Sequence, residues 1–199
     1  MPAGGETVTR QIDTYYVIFR RETGGFCSAV FDIVDSLKGA IIAVFLIFAL
    51  AFRAVGVSGT SMVPTLSDGD WLAVTAVTTD YRRGDIVVVT QPWERAIPII
   101  KRVIGLPGDT VDIDFDNGFV YVNGEKLTEP YIAEPTHEYY DVEFPVTVPE
   151  GHLFVMGDNR NVSLDSRSSK VGFADKRFVL GRAFFRLFKE TGAISREGK

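Results

Sequence analysis

The sequence predicts a mostly β, antiparallel domain that follows an N-terminal apolar helix. Three observations lead to this fold class: an uncharged apolar run from Gly39 to Phe52, β-branched runs from Trp71 onward, and Asn-Gly pairs between alternating apolar residues. The 199 residues suffice for one domain of about 100–150 residues with an N-terminal appendage. Helix is therefore expected only in the N-terminal segment and in short turns.

The composition excludes several classes of function. Apolar residues make up 46% of the chain and charged residues 24%, as in an ordinary globular protein. A net charge of -5 gives no support to a nucleic-acid partner, since such proteins usually carry a basic stripe. One cysteine and two distant histidines offer no disulfide and no transition-metal centre, so no metal or cofactor is expected.

The apolar run predicts a transmembrane helix over residues 37–57. Its fourteen uncharged residues are fewer than the roughly 20 that a span requires, so a buried core helix is the alternative. The run has no polar face, however, and apolar residues continue past Arg53. Lys38 and Arg53 can also extend their charged ends out of the bilayer. These features favour the membrane.

Basic residues predict the orientation of this helix. Arg20, Arg21 and Lys38 lie on its N-terminal side, whereas residues 54–81 contain no lysine or arginine. The positive-inside rule then places residues 1–36 in the cytoplasm and residues 58–199 outside it. The polar segment that precedes the run is too long for a cleavable leader.

Residue patterns typical of β-strands occur throughout the chain beyond Trp71. Residues 85–90 and 97–106 are β-branched runs that end in turn residues, and another short strand ends at Gly157. Residues 109–150 are predicted to form a hairpin and a loop-rich insertion with an edge strand, because two Asn-Gly turns are followed by a proline-punctuated stretch.

The segment SGTSMVPTL, residues 58–66, contains a candidate nucleophile in Ser61. A G-x-S-x-G elbow is excluded because Val63 occupies the place of the last glycine. An S-x-x-K motif is excluded because Pro64 stands three residues after the serine. A Ser-His-Asp triad would need His137 or His152, whose settings in a proline-rich loop and after a turn favour surface roles.

A lysine is the remaining candidate for a base. An ordinary lysine is protonated at neutral pH, but burial in apolar surroundings can lower its pKa by up to about 3–5 units. Lys101 meets that requirement, since Ile99, Ile100, Val103 and Ile104 flank it in the chain. The residues alone leave open the commoner arrangement, in which a strand lysine points to solvent.

Four segments together resemble the sequence boxes of bacterial type I signal peptidases. SGTSMVPTL resembles the serine box, RGDIVVV the strand box, KRVIGLPGD the lysine box and GDNRNVSLDSR the GDNR-x-x-S-x-DSR box. They occur in the family's order behind an N-terminal anchor and span roughly residues 58–167. The resemblance implies a signal-peptidase-like catalytic domain.

The resemblance also implies a role for each matching residue. Ser61 matches the nucleophile, Lys101 the general base and Ser163 the serine that orients the lysine. In some members a serine that donates to the oxyanion stands where this chain has Gly59, so the Ser61 backbone N–H is expected to serve instead, assisted by a group of Gly59 or Thr60. The residues expected to support the oxyanion and the site are Gly59, Asp158, Asp165 and Arg167, and those expected to bind substrate are Val57, Ser58, Met62, Pro98, Ile99 and Ile100.

The family's activity implies a serine endopeptidase of the bacterial cell membrane. It would remove signal peptides from secretory preproteins after an Ala-x-Ala-like site, through an acyl-enzyme and without a cofactor. A Ser–Lys autoprotease of the LexA type is one alternative, but it would need a DNA-binding domain where this chain has its apolar run. A membrane-anchored binding module that lost catalysis is another, and Ser61, Lys101 and Ser163 argue against it.

Overall fold

The computed structural model describes residues 25–76, 80–90, 97–188 and 191–196. Within these ranges one long helix, α1, comes first, and strands connected by loops and a 3-10 helix follow. The elements are α1 (Gly25–Ala51), β1 (Phe52–Gly56), β2 (Trp71–Thr75), β3 (Ile86–Val89), β4 (Ile99–Gly105), β5 (Thr110–Asp114), β6 (Phe119–Val122), β7 (Glu125–Lys126), β8 (Val146–Thr147), β9 (His152–Met156), β10 (Ala174–Asp175), the 3-10 helix Lys176–Phe178, β11 (Val179–Leu187) and β12 (Gly192–Ala193).

The strands form two antiparallel sheets. The larger sheet has the order β1-β2-β11-β3-β4-β9-β10, with β12 added beside β11, and the smaller has the order β7-β6-β5-β8. Strand β3 shows how the larger sheet is buried on both faces. Ile86 and Val88 belong to one apolar cluster, whereas Val87 and Val89 belong to another. The predicted mostly β, antiparallel architecture is confirmed.

The apolar run does not form one continuous helix. Helix α1 ends at Ala51, and Phe52–Gly56 continue as β1, which pairs with Trp71–Thr75. The predicted helix over residues 37–57 is therefore wrong in its last part. Gly39–Ala51 would make only about 20 Å of helix, against a hydrocarbon core of about 30 Å. Among the described residues, no helix combines the length and the apolar content that a bilayer crossing requires.

The chain divides into two compact units, Met1–Val44 and Phe45–Lys199. In the first unit, residues 1–24 lie outside the described part of the chain, and with them most of the predicted cytoplasmic segment 1–36. The described residues of that unit are helical, and large apolar side chains such as Ile33 and Ile41 are exposed. The second unit contains both sheets and the candidate site.

The smaller sheet contains the predicted turns. Gly118 lies between β5 and β6, and Asn123-Gly124 lies between β6 and β7. All three residues have positive φ, of 73°, 54° and 81°, a backbone conformation that glycine and asparagine adopt readily. In the proline-punctuated stretch that follows, β8 pairs with the edge of β5. The remainder is loop, and parts of that loop pack against the candidate site.

A short loop between β1 and β2 carries Ser61. The loop is closed at its base, because the Val57 amide donates to the Asp70 carbonyl at 2.8 Å and the Gly69 amide to the Val57 carbonyl at 3.0 Å. Met62 is 2% exposed and belongs to the apolar cluster beneath β3. The loop is therefore fixed on both sides of the serine, by hydrogen bonds before it and by apolar packing after it.

Candidate active site

The side chains of Ser61 and Lys101 meet. The Lys101 Nζ lies 2.9 Å from the Ser61 Oγ and donates a hydrogen bond to the Ile100 carbonyl at 3.1 Å. Lys101 stands in β4, which lies between β3 and β9, and is only 4% exposed, whereas Ser61 is half-buried. The predicted pairing of a buried amine with a more accessible hydroxyl is present in the geometry.

Burial changes the protonation of this amine. Desolvation lowers the pKa of Lys101 from 10.5 to about 8, although the negative charges of Asp165 and Asp158 act in the opposite direction. The Arg167 charge adds to the lowering. Near pH 8 about half of the amine is therefore uncharged, and only that form has a lone pair that can accept a proton.

The turn that follows β9 holds the backbone around Ser61. The Asn159 amide donates to the Ser61 carbonyl at 3.0 Å, and the Asn159 side chain donates to the Thr60 carbonyl at 3.1 Å. Gly157 allows this close approach. A Cβ at Gly157 would lie 2.5 Å from the Ser61 carbonyl oxygen and 2.2 Å from the Ser163 Oγ, so that any side chain would force these groups apart.

The backbone N–H of Ser61 is available to stabilise an oxyanion. Within the part of the chain that the structure describes, it has no hydrogen-bond acceptor. The amide of Gly59, by contrast, already donates to the Asp68 carboxylate at 2.8 Å. The expected assistance from Gly59 therefore does not come from its amide. Its φ of 94° gives it a different role, since it lets the chain turn sharply before Ser61.

Ser163 lies in the site, but its hydroxyl makes no hydrogen bond to Lys101. The residue is fully buried, and its Oγ has no hydrogen-bond partner among the described residues. Its backbone is fixed, because the amide donates to the Asn159 carbonyl and the carbonyl accepts from the Tyr140 hydroxyl, both at 3.0 Å. The expected hydrogen bond to the lysine is thus absent from this structure, and an unpartnered hydroxyl stays in a buried position beside Gly157.

Asp158 forms a buried ion pair with Arg102, the residue that follows Lys101. The guanidinium donates to both carboxylate oxygens, at 2.8 and 2.6 Å, and both side chains have no exposed surface. The Arg102 Nη2, which bonds Asp158, also donates to the Thr65 hydroxyl at 3.3 Å. The pair joins β4 to the turn after β9 and to the Ser61 loop. Arg102 was not among the predicted site residues, although a charge in an apolar strand beside Lys101 was a usable signal.

Asp165 and Arg167, which the resemblance implied as supporting residues, form a second buried pair. The Arg167 Nε and Nη2 donate to the two Asp165 oxygens at 2.8 and 3.0 Å. Asp165 also accepts from the Gly157 amide at 2.9 Å, and Arg167 donates to the Ser163 carbonyl at 3.1 Å. The pair therefore fixes both ends of the turn that contacts Ser61.

A third buried arginine, Arg160, connects the loop-rich insertion to the same turn. It donates to both oxygens of Glu129, at 3.1 and 2.5 Å, and to the Gly157 carbonyl at 3.1 Å. It also donates to the Thr136 hydroxyl at 2.9 Å. The sequence analysis missed this contact because Glu129 lies 31 residues away in a stretch with no strand or helix signal.

The predicted substrate-binding residues lie in three different environments. Val57, Met62 and Ile100 belong to or pack against one apolar cluster beside the dyad. Ile99 packs instead against the cluster on the opposite face of the sheet, so its side chain does not join the other three. Ser58 and Pro98 are exposed.

Neither histidine takes part in the site. The His137 ring bonds to the Phe115 carbonyl at 2.8 Å, and the His152 ring bonds to the Glu150 carbonyl at 2.9 Å in its own turn. Each of these hydrogen bonds lies near the surface, as the sequence predicted.

Over most of its length the chain is similar to proteins of one family. The sequence profile of a family described as signal peptidase, peptidase S26, matches residues 30–188. A signal peptidase I of Bacillus licheniformis is 42% identical over 171 residues, which cover 81% of this chain and 90% of that protein. Signal peptidase I T of Bacillus subtilis is 39% identical over 150 residues, covering 70% and 76%. A solved signal peptidase I from Enterococcus faecalis is 36% identical with a TM-score of 0.42, covering 52% of this chain and 96% of that one.

The Lys101 amine should titrate near pH 8, well below an ordinary lysine, because burial penalises its charged form. An NMR titration of 13Cε-labelled lysines would measure this midpoint, with the spectrum of Lys101→Arg identifying the signal. A Lys101 signal that keeps the usual midpoint of 10.5 would contradict the prediction.

Proposed function

Because the chain belongs to the signal peptidase family, peptidase S26, we propose that it removes signal peptides from secretory preproteins by a Ser–Lys mechanism. Its family makes it a serine endopeptidase of the signal peptidase I type. The observation that carries the proposed mechanism is the 2.9 Å approach of a buried lysine amine to the Ser61 hydroxyl. The proposal assigns Ser61 as nucleophile and Lys101 as general base, and it needs no cofactor.

In the first half of the reaction Ser61 is acylated. The neutral Lys101 amine accepts the hydroxyl proton while the Oγ attacks the scissile carbonyl. The hydrogen bond from Nζ to the Ile100 carbonyl supports this role, because it fixes one N–H and leaves the lone pair for Ser61. The Ser61 N–H donates to the developing oxyanion. The lysine ammonium then protonates the departing amine, which releases the mature protein and leaves an acyl-enzyme.

In the second half, water removes the acyl group. Lys101 is neutral again after it has protonated the leaving amine, so it can accept a proton from an attacking water. The tetrahedral intermediate collapses, the Ser61 Oγ leaves and takes its proton back from the lysine. The signal peptide departs with a new carboxylate. Both halves require the uncharged amine, so the rate should rise with pH through about 8.

We place the substrate along the edge of β4. Among the described strands, β9 pairs with β4 only from Arg102 onward, which leaves Pro98–Ile100 without a partner on that side. An extended peptide can add there as a further strand, and its backbone bonds are independent of side-chain identity. Val57 is less suitable as an edge, since its amide and carbonyl are already bonded. The apolar cluster with Met62 and Ile100 offers the floor for small side chains, consistent with an Ala-x-Ala-like preference.

We further propose that the protein works at the cell membrane, with preproteins and phospholipid as its partners. The proposal is supported by exposed apolar surface in the second unit, which is typical of membrane contact. A cleft there combines aromatic and aliphatic side chains with almost no polar surface. It is lined by Phe45, Phe48, Ala49, Phe52, Ala73, Phe184, Phe185 and Leu187. A site close to the bilayer would meet substrates that are themselves held in it by apolar leader segments.

Ser61→Ala and Lys101→Ala should each abolish cleavage of a preprotein, because each removes one half of a proton-transfer unit. The measurement uses the purified full-length chain in detergent and a precursor that carries a signal peptide. The double variant should be no slower than either single variant, as expected for residues that act as a unit. His137→Ala and His152→Ala are the controls and should keep substantial activity. A double variant much slower than both single variants would refute the joint role.

Ser163→Ala should lower turnover by about 10- to 1000-fold with little change in KM, if the hydroxyl orients the lysine once substrate is bound. Its stability should not fall, because the Ser163 Oγ has no partner to lose. Ser166→Ala is the matched control. Its hydroxyl accepts from the Val155 amide at 3.0 Å, so this variant should lose about 1–3 kcal/mol of unfolding free energy while turnover stays nearer to wild type.

Kinetics and thermal melting of both serine variants distinguish an orienting role of the Ser163 hydroxyl from a purely structural one. The orienting role would be wrong if Ser163→Ala kept wild-type turnover, or if it lost turnover only in proportion to its stability.

Protease added outside intact spheroplasts should cleave the chain beyond about residue 56 but spare an N-terminal tag, because the basic residues lie on the N-terminal side. Immunoblots with an antibody to the tag would measure this, with a cytoplasmic protein as the control for intact membranes. Cleavage that appears only after the membrane is broken would place the catalytic domain inside the cell.

A further inference from the structure

The C-terminal segment, residues 191–196, lies on the catalytic unit. Its strand β12 pairs with β11, with Ala193 opposite Phe185 and Gly192 opposite Arg186. The Ile194 amide donates to the Phe184 carbonyl at 3.0 Å, and the Ile194 side chain packs against the apolar cluster that contains Met62. The segment thus adds an edge to the larger sheet and reaches the core beneath the Ser61 loop.

The end of this segment completes the surroundings of the buried Arg102. The Arg102 Nη1 donates to the Arg196 carbonyl at 3.0 Å and contacts the Ser195 carbonyl at 3.4 Å, and it also donates to the Gly84 carbonyl at 2.9 Å. The guanidinium has no exposed surface, so each of its N–H groups requires an acceptor. The C-terminal segment supplies two of these acceptors.

The position of Arg196 is specific. Its Nε donates to the Asp85 Oδ1 at 2.5 Å, and Asp85 is 2% exposed. A Cβ at Gly84 would lie 2.9 Å from both the Cβ and the carbonyl oxygen of Arg196. Gly84 and Asp85 belong to the RGDIVVV segment. The space that the absence of a side chain at Gly84 leaves open and the Asp85 carboxylate together form the binding position of Arg196, called here the Arg196 socket.

Arg102 connects the Arg196 socket to the Ser61–Lys101 pair. It follows Lys101 in β4, its guanidinium holds Asp158, and it donates to Thr65 in the Ser61 loop. The residue after Asp158 is Asn159, which holds the Ser61 carbonyl. Movement of Arg102 would therefore disturb the backbone of both members of the dyad.

We propose that the C-terminal segment is a positioning element for the Ser61–Lys101 pair, and that the carbonyls of Ser195 and Arg196 act through Arg102. This inference rests on the proposed function. Loss of the segment would leave the guanidinium without two acceptors and admit water beside it. A displacement of the dyad by about 1 Å can cost on the order of 100-fold in rate. The effect should fall mainly on kcat, because the proposed route through Arg102 acts on the two residues that react, Ser61 and Lys101.

The test compares two truncations of the full-length chain. A chain that ends at Phe188 lacks the segment, and a control chain that ends at Glu197 keeps every contact described above. The first should lose at least about 10-fold in kcat with KM within about twofold, and the control should match wild type. A synthetic peptide of residues 189–199 should restore kcat to the first chain in a saturable way. The Lys101 NMR midpoint should rise towards 10.5 in the short chain as water reaches the amine.

Two substitutions, Arg196→Ala and Arg196→Lys, test the same inference while the backbone of the segment stays in place. The alanine variant should lower kcat and the lysine variant should recover part of it, since a lysine can still pair with Asp85. Wild-type kcat in the short chain would overturn the inference. A loss of kcat that is explained by a lower melting temperature, and that the peptide does not restore, would also overturn the inference.

The NMR titration midpoint of Lys101 distinguishes a failure of the proposed function from a failure of the proposed coupling through Arg102. If the full-length chain cleaves no preprotein while the midpoint still moves on truncation, the proposed function fails but the coupling through Arg102 holds. A midpoint that does not move on truncation overturns the coupling itself.

Discussion

The buried ion pair between Arg102 and Asp158 is the contact on which the arrangement around Ser61 depends. It joins strand β4 to the turn after β9, and the same Arg102 Nη2 also donates to Thr65 in the Ser61 loop. Replacing a buried pair by well-packed apolar residues is often neutral in stability, whereas removing one partner costs about 3–5 kcal/mol. The value of such a pair lies less in stability than in the fixed geometry that two charges impose when both are fully hydrogen-bonded.

Burial explains how a lysine beside two aspartates can be uncharged. Free carboxylates near an amine stabilise its ammonium form, and both Asp158 and Asp165 act on Lys101 in that direction. Each of them is bonded through both oxygens to its own arginine, Arg102 or Arg167. The Arg167 charge opposes the two carboxylates, and desolvation remains the largest effect, so the pKa of Lys101 falls to about 8. Arg167 thus contributes to the uncharged state of the proposed base.

The sequence was sufficient for features that depend on local pattern or on a resemblance. Alternating residues and Asn-Gly pairs predicted the strands and turns of the smaller sheet, and the boxes led to Ser61 and Lys101. The end of α1 could not be predicted, because Phe52–Gly56 continue an apolar run and become a strand only by pairing with residues about twenty positions away. The contact between Arg160 and Glu129 is non-local in the same way. The Ser163 hydroxyl is a different case. Whether it forms a hydrogen bond to Lys101 depends on a side-chain rotation that no sequence pattern specifies.

Gly157 offers a sequence criterion for whether a related chain can form the proposed site. The proposed nucleophile and base could both be retained in a chain that has acquired a methyl group at this position, and a search for these two residues would accept it. The carbonyl of Ser61 and the hydroxyl of Ser163 occupy the space that the methyl group would need. Such a chain would have to separate the two segments that form its site. A genome survey that counts active peptidases of this kind should therefore require glycine here as strictly as it requires serine and lysine.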